Sequence, residues 1–224
     1  MSSPTPLPPA RRATLVEDIH ERLTALVMEH TLAPGDRVNI YALARELEVS
    51  QTPVREALAR LEADGLVRKR PLAGYTVSPL LTKREFTDMF DMRLVLEGVA
   101  ARWAATRATQ DARAAISLEA ATVMPVDHDS HARFTALDAR FHDLVADAAD
   151  NPLLRDSIQR LHAHLHIHRL YFPYAQTGTT GEEHERIAAA IRASDPDAAE
   201  SAMRDHLTAA RGRHMPAFDQ ASRP

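Results

Sequence analysis

Cysteine is absent from the 224 residues. That excludes disulfides and thiolate metal sites and leaves the cytosol as the default compartment. Glycine is scarce, at 7, and long stretches hold neither glycine nor proline. With Ala and Leu common, this favours helix. No run approaches the roughly 18–20 apolar residues that a membrane span needs. The N-terminus, MSSPTPLPPARR, lacks the apolar core of a secretory signal. Its Ser3, Pro4, Pro6, Pro8 and Pro9 fit a disordered or polyproline-like tail over residues 1–13. Positive charge is not in excess either. A net charge of −4 and a pI of about 6.3 argue against a protein that coats nucleic acid generically. Any DNA binding has to come from a local basic patch.

The apolar fraction of 45% is enough for a real core. Histidine is plentiful, at 12. It titrates near neutrality and ligates metals, so the positions matter.

Residues 14–77 read as three helices and a hairpin. Thr14 can cap a first helix over 15–30, where Leu15, Ile19, Leu23, Leu26 and Val27 recur at helical spacing. Pro34-Gly35-Asp36 is a turn signal. A short helix is expected over 41–48, with Leu43 and Leu47 on one face. After it comes SQTPVREALARL. Ser50 is a good N-cap, and Pro53 falls in the first turn, where a missing N–H costs little. Val54, Ala57, Leu58 and Leu61 form the buried stripe, and Gly65 ends the helix. Residues 66–70 and 75–77 read as strands joined through 71–74. This is the winged helix-turn-helix pattern, whose second motif helix lies in the DNA major groove. With the stripe spent on the core, Ser50, Gln51, Thr52 and Arg55 face outward at the N-terminal end of the third helix. Backbone N–H groups there favour phosphate. Arg68, Lys69 and Arg70 make the wing strand basic. The plainer reading of these charges is a solvated face.

Residues 78–81 form a linker, 82–215 a second domain and 216–224 a tail. Thr82 and Glu85 have the spacing of a capping box at the head of a long helix reaching about 106. Further helices are expected near 110–123, 130–149, 152–171, 182–193 and 196–215. Pro125, Asn151-Pro152, residues 173–181 and Asp195-Pro196 separate them. The fold class is therefore mainly α: a winged helix-turn-helix followed by a bundle of about six helices.

Several polar residues of this bundle sit where apolar ones belong. Asp138 and His142 are four apart and share a face with Phe134, Leu137, Phe141 and Val145. His184 lies in line with Ile187, Ala188 and Ile191. His206 lies in line with Ala199, Met203 and Ala210. Burying one carboxylate and three imidazoles unpaired would cost several kcal/mol each. Convergence on one divalent metal removes that cost and uses suitable ligand types. His162, His164, His166 and His168 alternate, but their surroundings are helical, so they divide into two i,i+4 pairs. Most of them are expected at the surface or as pocket wall. Glu183 is adjacent to His184 and expected to face another way. Arg93 stands on an otherwise apolar face with Glu97 four residues on. It suits a carboxylate clamp, and the alternative is an ordinary ion pair with Glu97.

The segments APGDRVN, ALARELEVSQTPVREALARLEADGLV and PLAGYTV resemble, over residues 14–77, the DNA-binding domain of GntR-type transcriptional regulators. The resemblance implies that Ser50, Thr52, Arg55 and Gly74 contact DNA. Two positions depart from the pattern. Gln51 stands where the family usually has Arg, and Gln pairs with adenine where Arg prefers guanine. Tyr41 stands where some members carry a contacting Arg.

The DxxFH of residues 138–142, the Glu183-His184 pair and His206 resemble the FCD effector domain of the FadR subfamily. The six-helix count is closer to its VanR-like group. The resemblance implies that Asp138, His142, His184 and His206 hold a divalent ion, zinc or nickel. It also implies that Arg93, within RLVLE at 93–97 with Glu97, meets a small organic-acid effector. The expected function is a cytoplasmic, homodimeric transcriptional regulator, a repressor by this reading. It would bind double-stranded operator DNA, under metal and effector control, with no membrane partner. The rival is a metal-dependent hydrolase-like enzyme with an accessory DNA-binding domain. No further general base or nucleophile arrangement stands beside the site to support it.

Overall fold

The computed structural model describes residues 10–71, 74–122, 131–161, 163–170, 177–216 and 218. The chain divides into two compact units, residues 1–79 and 80–224.

In the first unit, α1 (Ala10–Met28) begins four residues ahead of the expected cap at Thr14. The preceding Ala-Arg-Arg-Ala are all good helix formers, so the helix propagates back through them. The expected tail is thus shortened, and residues 1–9 lie outside the described ones. Val16, Ile19, Leu23 and Val27 are buried along one face of α1, which packs against α3 (Gln51–Ala63). Between them lie β1 (Arg37–Val38) and α2 (Ile40–Glu46). Pro53, Val54, Ala57, Leu58 and Leu61 are the buried residues of α3. Its C-terminus closes as a Schellman motif. Leu66 N–H donates to the Leu61 carbonyl at 2.9 Å and Gly65 N–H to that of Glu62 at 3.0 Å. Gly65 takes φ 75° there, the left-handed conformation such a cap requires.

The hairpin of β2 (Val67–Arg70) and β3 (Gly74–Val77) is antiparallel. A third strand, which residue pattern did not suggest, joins it: β1 pairs with β3, giving the order β1-β3-β2.

The second unit holds seven helices among the described residues, one more than expected. They are α4 (Lys83–Arg107), α5 (Gln110–Ala120), α6 (His131–Ala148), α7 (Pro152–Gln159), α8 (Ala163–Leu170), α9 (Thr177–Arg192) and α10 (Pro196–His214). The Thr82–Glu85 capping box forms as expected. The single helix expected over 152–171 is two, α7 and α8. No glycine or proline lies between them, so packing overrides the periodicity: α7 rests on α4 and α6, and α8 on α6. α9 starts at Thr177, inside the break expected over 173–181. Phe218, in the expected tail, packs on Phe86 with centroids 5.2 Å apart. His162 and Pro125 lie outside the described residues.

α4 packs against α6, α7, α9 and α10. Its Ala100, Ala101, Ala104 and Ala105 are all buried, and small side chains let neighbouring helices approach closely. Ile116, Phe141, Val145, Ile187, Ile191, Met203 and Leu207 complete the core around Ala101, Ala104 and Ala105. Among the described residues no helix is long and apolar enough to cross a membrane.

Candidate metal centre and nucleic-acid interface

The expected DNA-contact residues of the first unit are spread over α2, α3 and the β2–β3 hairpin. Ser50 is the N-cap, with φ −73° and ψ 164°, and its side chain makes no capping bond. Thr52 and Arg55 are exposed and Gln51 is half-buried. Arg55, Tyr41 and Gly74 line one groove with Arg37 and Asn39. Tyr41 is 69% exposed, and Gly74 has φ 80° at the start of β3. Arg68, Lys69 and Arg70 are exposed on β2, and Arg68 is not among the groove residues. Arg37 escaped the sequence reading because β1 did. Asn39 escaped it although its side chain caps α2, accepting from Ala42 N–H at 3.1 Å.

In the second unit, Asp138 and His142 of α6, His184 of α9 and His206 of α10 are all buried. Each offers one ligand atom, and these atoms lie within 4.8 Å of one another. Carboxylates behind two of the rings set their tautomers. His206 Nδ1–H donates to Glu183 Oε2 at 2.7 Å. His142 Nδ1 lies 2.5 Å from Glu97 Oε2; the contact falls outside hydrogen-bond geometry, but a ring nitrogen that close to an ionised carboxylate carries the ring proton. Both Nε2 atoms are then bare, and they face each other at 3.1 Å. Two lone pairs at that distance repel unless a cation lies between them. Asp138 Oδ1 and both nitrogens of His184 have no hydrogen-bond partner, although His184 Nε2 is 3.4 Å from Asp138 Oδ1. The His184 ring stacks on Phe141, centroids 3.9 Å apart. Orphaned buried acceptors and inward lone pairs fit a divalent ion. A three-nitrogen, one-oxygen donor set without sulfur suits zinc and nickel.

Guanidiniums anchor the carboxylates. Arg213 donates twice to Glu183, at 2.8 Å each. Arg93 Nε donates to Glu97 Oε1 at 2.5 Å and its Nη2 to Oε2 at 3.3 Å. Here Arg93 forms the i,i+4 ion pair rather than standing open, and Glu97 faces Arg93 and His142. Burial opposes ionisation of Glu97, but Arg93 and His142 outweigh it and hold the carboxyl below its ordinary range. Glu183 is likewise held down to about 2: burial is outweighed by His206 and Arg213. Asp138 is held well below its ordinary value, against burial, mainly by His164. Burial pushes His142 down to about 3 and His206 to about 4, despite their carboxylate partners. Neutral imidazoles and ionised carboxylates are the forms that ligate metal.

Glu183 does not turn away from the site as expected; it is buried behind His206. Of the α8 histidines, His164 lines a cavity as expected, but the contacts to Asp138 go beyond that expectation. His164 and His168 reach Asp138, and His214 of α10 stacks on His168 at 5.5 Å. The i,i+4 spacing of His164 and His168 was the signal available. A cavity of about 320 Å³ beside the centre is lined by Glu97, His142, Asp143, Gln159 and His164, with apolar neighbours.

Comparison with known proteins agrees with both units. The profile described as "Bacterial regulatory proteins, gntR family" matches residues 15–77, and that of the FCD domain matches residues 88–209. The HTH-type transcriptional repressor NanR of Salmonella newport is 29% identical over 221 residues, covering 89% of this chain and 85% of its own. A "Probable D-xylose utilization operon transcriptional repressor" of Paenarthrobacter nicotinovorans is 29% identical over 199 residues, covering 88% of each. Among solved structures, E. coli McbR/YncC superposes with a TM-score of 0.70 at 21% identity, over 93% of this chain and 99% of that one. That likeness is one of fold. The matched families are those of transcriptional regulators rather than enzymes, so the hydrolase alternative is set aside.

Proposed function

The chain belongs to the gntR family of bacterial regulatory proteins and carries an FCD domain, and on that premise we propose that this regulator is a metal-dependent, metabolite-controlled repressor. It acts as a cytoplasmic homodimer, each winged helix taking half of a palindromic operator. Repression is supported by relatives that are themselves named repressors. Ser50, Gln51, Thr52 and Arg55 enter the major groove. Tyr41, Arg68 and Gly74, joined by Arg37, hold the flanking backbone.

The observation that carries the metal reading is the convergence of one ligand atom each from Asp138, His142, His184 and His206 within 4.8 Å, with Nε2 of His142 and His206 3.1 Å apart and Asp138 Oδ1 unpartnered. Zinc or nickel suits these donors, and a bound ion would offer an open coordination position to a carboxylate. The effector is a small organic acid. Its carboxylate competes with Glu97 for Arg93, exchanging one ion pair for another, and so distinguishes two conformations of the bundle. Only such differential affinity can move an equilibrium between them.

Elemental analysis of the purified full chain after zinc or nickel loading tests the centre. One equivalent per chain is expected, and none in Asp138→Ala with His206→Ala. A wild-type chain without metal, or a double variant that keeps it, would sink the reading. A thermal-shift screen of organic acids on metal-loaded protein then identifies the effector, since a ligand of the native state stabilises it by mass action.

A further inference from the structure

The α8 histidines are not absorbed by the four-donor centre, yet they meet its carboxylate. His164 Nδ1 lies 2.7 Å from Asp138 Oδ2, and His168 Nε2 lies 3.6 Å from the same oxygen. Arg93 sets the tautomer of His164. Arginine can only donate, and its Nη2 is 3.4 Å from His164 Nε2, so Nε2 accepts. The ring proton is then on Nδ1, which donates to Asp138. At His168, Nδ1 is 3.0 Å from the Thr135 hydroxyl. When that hydroxyl donates, the His168 proton lies on Nε2 and also faces Asp138.

We propose that His164 and His168 are positioning residues for Asp138: His164 occupies Oδ2 and His168 flanks it, so that Oδ1 alone is presented to the metal, and His164 ties that carboxylate to Arg93. The inference rests on the metal centre proposed above. Asp138 without them would rotate about its terminal torsion, which is broad for carboxylates. It could then take the ion with either oxygen or both. The arrangement gives Arg93 two outlets. One runs through Glu97 to His142, the other through His164 to Asp138. Two of the four donors on the ion therefore depend on where a single guanidinium points.

The test uses full-length protein, zinc titrated against a chelator, and cobalt substituted for zinc to read the visible absorption of the site. His164→Ala is expected to keep one zinc per chain at saturation, with affinity weakened about 10- to 100-fold, the range seen when such outer partners are removed. Its cobalt bands should shift, which a merely structural loss would not cause. His168→Ala should move both in the same direction by less. His164→Asn, whose amide N–H falls near the Nδ1 position, should restore most of the affinity, whereas His164→Gln should not. If the alanine variants fail to fold, this Asn–Gln comparison carries the test, and equal affinities refute the proposal. Unchanged zinc affinity and cobalt bands in His164→Ala overturn the positioning role alone. A second zinc in wild type that disappears in His164→Ala overturns it in favour of another ion seat. Wild type that binds no zinc overturns the centre itself and this inference with it.

Discussion

Replacing Glu183 by Gln separates the support of His206 from its ligation. The side chain keeps its shape and loses its charge. Glu183 accepts two bonds from Arg213 at 2.8 Å and one from His206 at 2.7 Å. The side chains of Arg213 and Glu183 are 9% and 6% exposed, so solvent screens little of the pair. Removing one partner of a buried pair outright costs about 3–5 kcal/mol. Gln retains a carbonyl acceptor, so the loss should approach the difference between charged and neutral hydrogen bonds, roughly 1–2 kcal/mol. The amide also has an N–H that can turn toward His206 Nδ1. That would reverse the tautomer and put a proton where the metal should be. Zinc affinity should therefore fall by about 10- to 100-fold, or roughly 1.4–2.8 kcal/mol. Urea unfolding of metal-free protein measures the first quantity, and chelator competition the second. Stability reduced with zinc affinity unchanged would show that Glu183 serves the Arg213 pairing alone and would refute the tautomer argument.

Three further outcomes are expected. Arg55→Ala should abolish specific operator binding and leave the melting temperature unchanged; a retained footprint would remove Arg55 from the groove. Metal-free protein should lose stability as pH falls from about 6.5 toward 4. Burial holds His206 and His214 near 4 in the folded chain, against about 6.5 unfolded. In that window the unfolded state binds more protons, so each group removes up to about 1.4 kcal/mol per pH unit. Urea midpoints that stay level across the window would contradict this, and His214→Leu should flatten the curve. Ser194→Gly should stabilise the turn between α9 and α10. Ser194 has φ 58°, a conformation costing roughly 1–2 kcal/mol for a residue with a Cβ, and glycine's greater unfolded freedom offsets part of the gain; a lower melting temperature would count against it.

Much of this was legible in residue order because it depends on local periodicity. Val54, Ala57, Leu58 and Leu61 declare one face of α3 buried, which leaves Arg55 no direction but outward. Asp138, His142, His184 and His206 share faces with core residues, so their burial was readable, and the structure gathers them. What escaped depends on packing between distant segments. β1 is two residues long, too short for any alternation, and exists through its pairing with Thr76 and Tyr75. The α7–α8 break has no glycine or proline to mark it. Glu183 was misjudged because adjacent helical residues diverge by about 100°. α9, however, is flanked by α4, α5 and α10, so a wide arc of it is interior. A face can be read from spacing, but the number of faces a helix buries cannot.

The chains of Arg93 to Glu97 and Arg213 to Glu183 also set an electrical balance. Asp138, Glu97 and Glu183 are three ionised carboxylates against two guanidiniums, so these five groups carry one net negative charge. Without metal they repel an anion. A divalent ion would invert them to one net positive charge in a site of low polarity, where an uncompensated charge is expensive. A single carboxylate restores neutrality; a dianion overshoots it. On the reading proposed above, the combination that would leave these five groups neutral is one divalent ion with one monoanion.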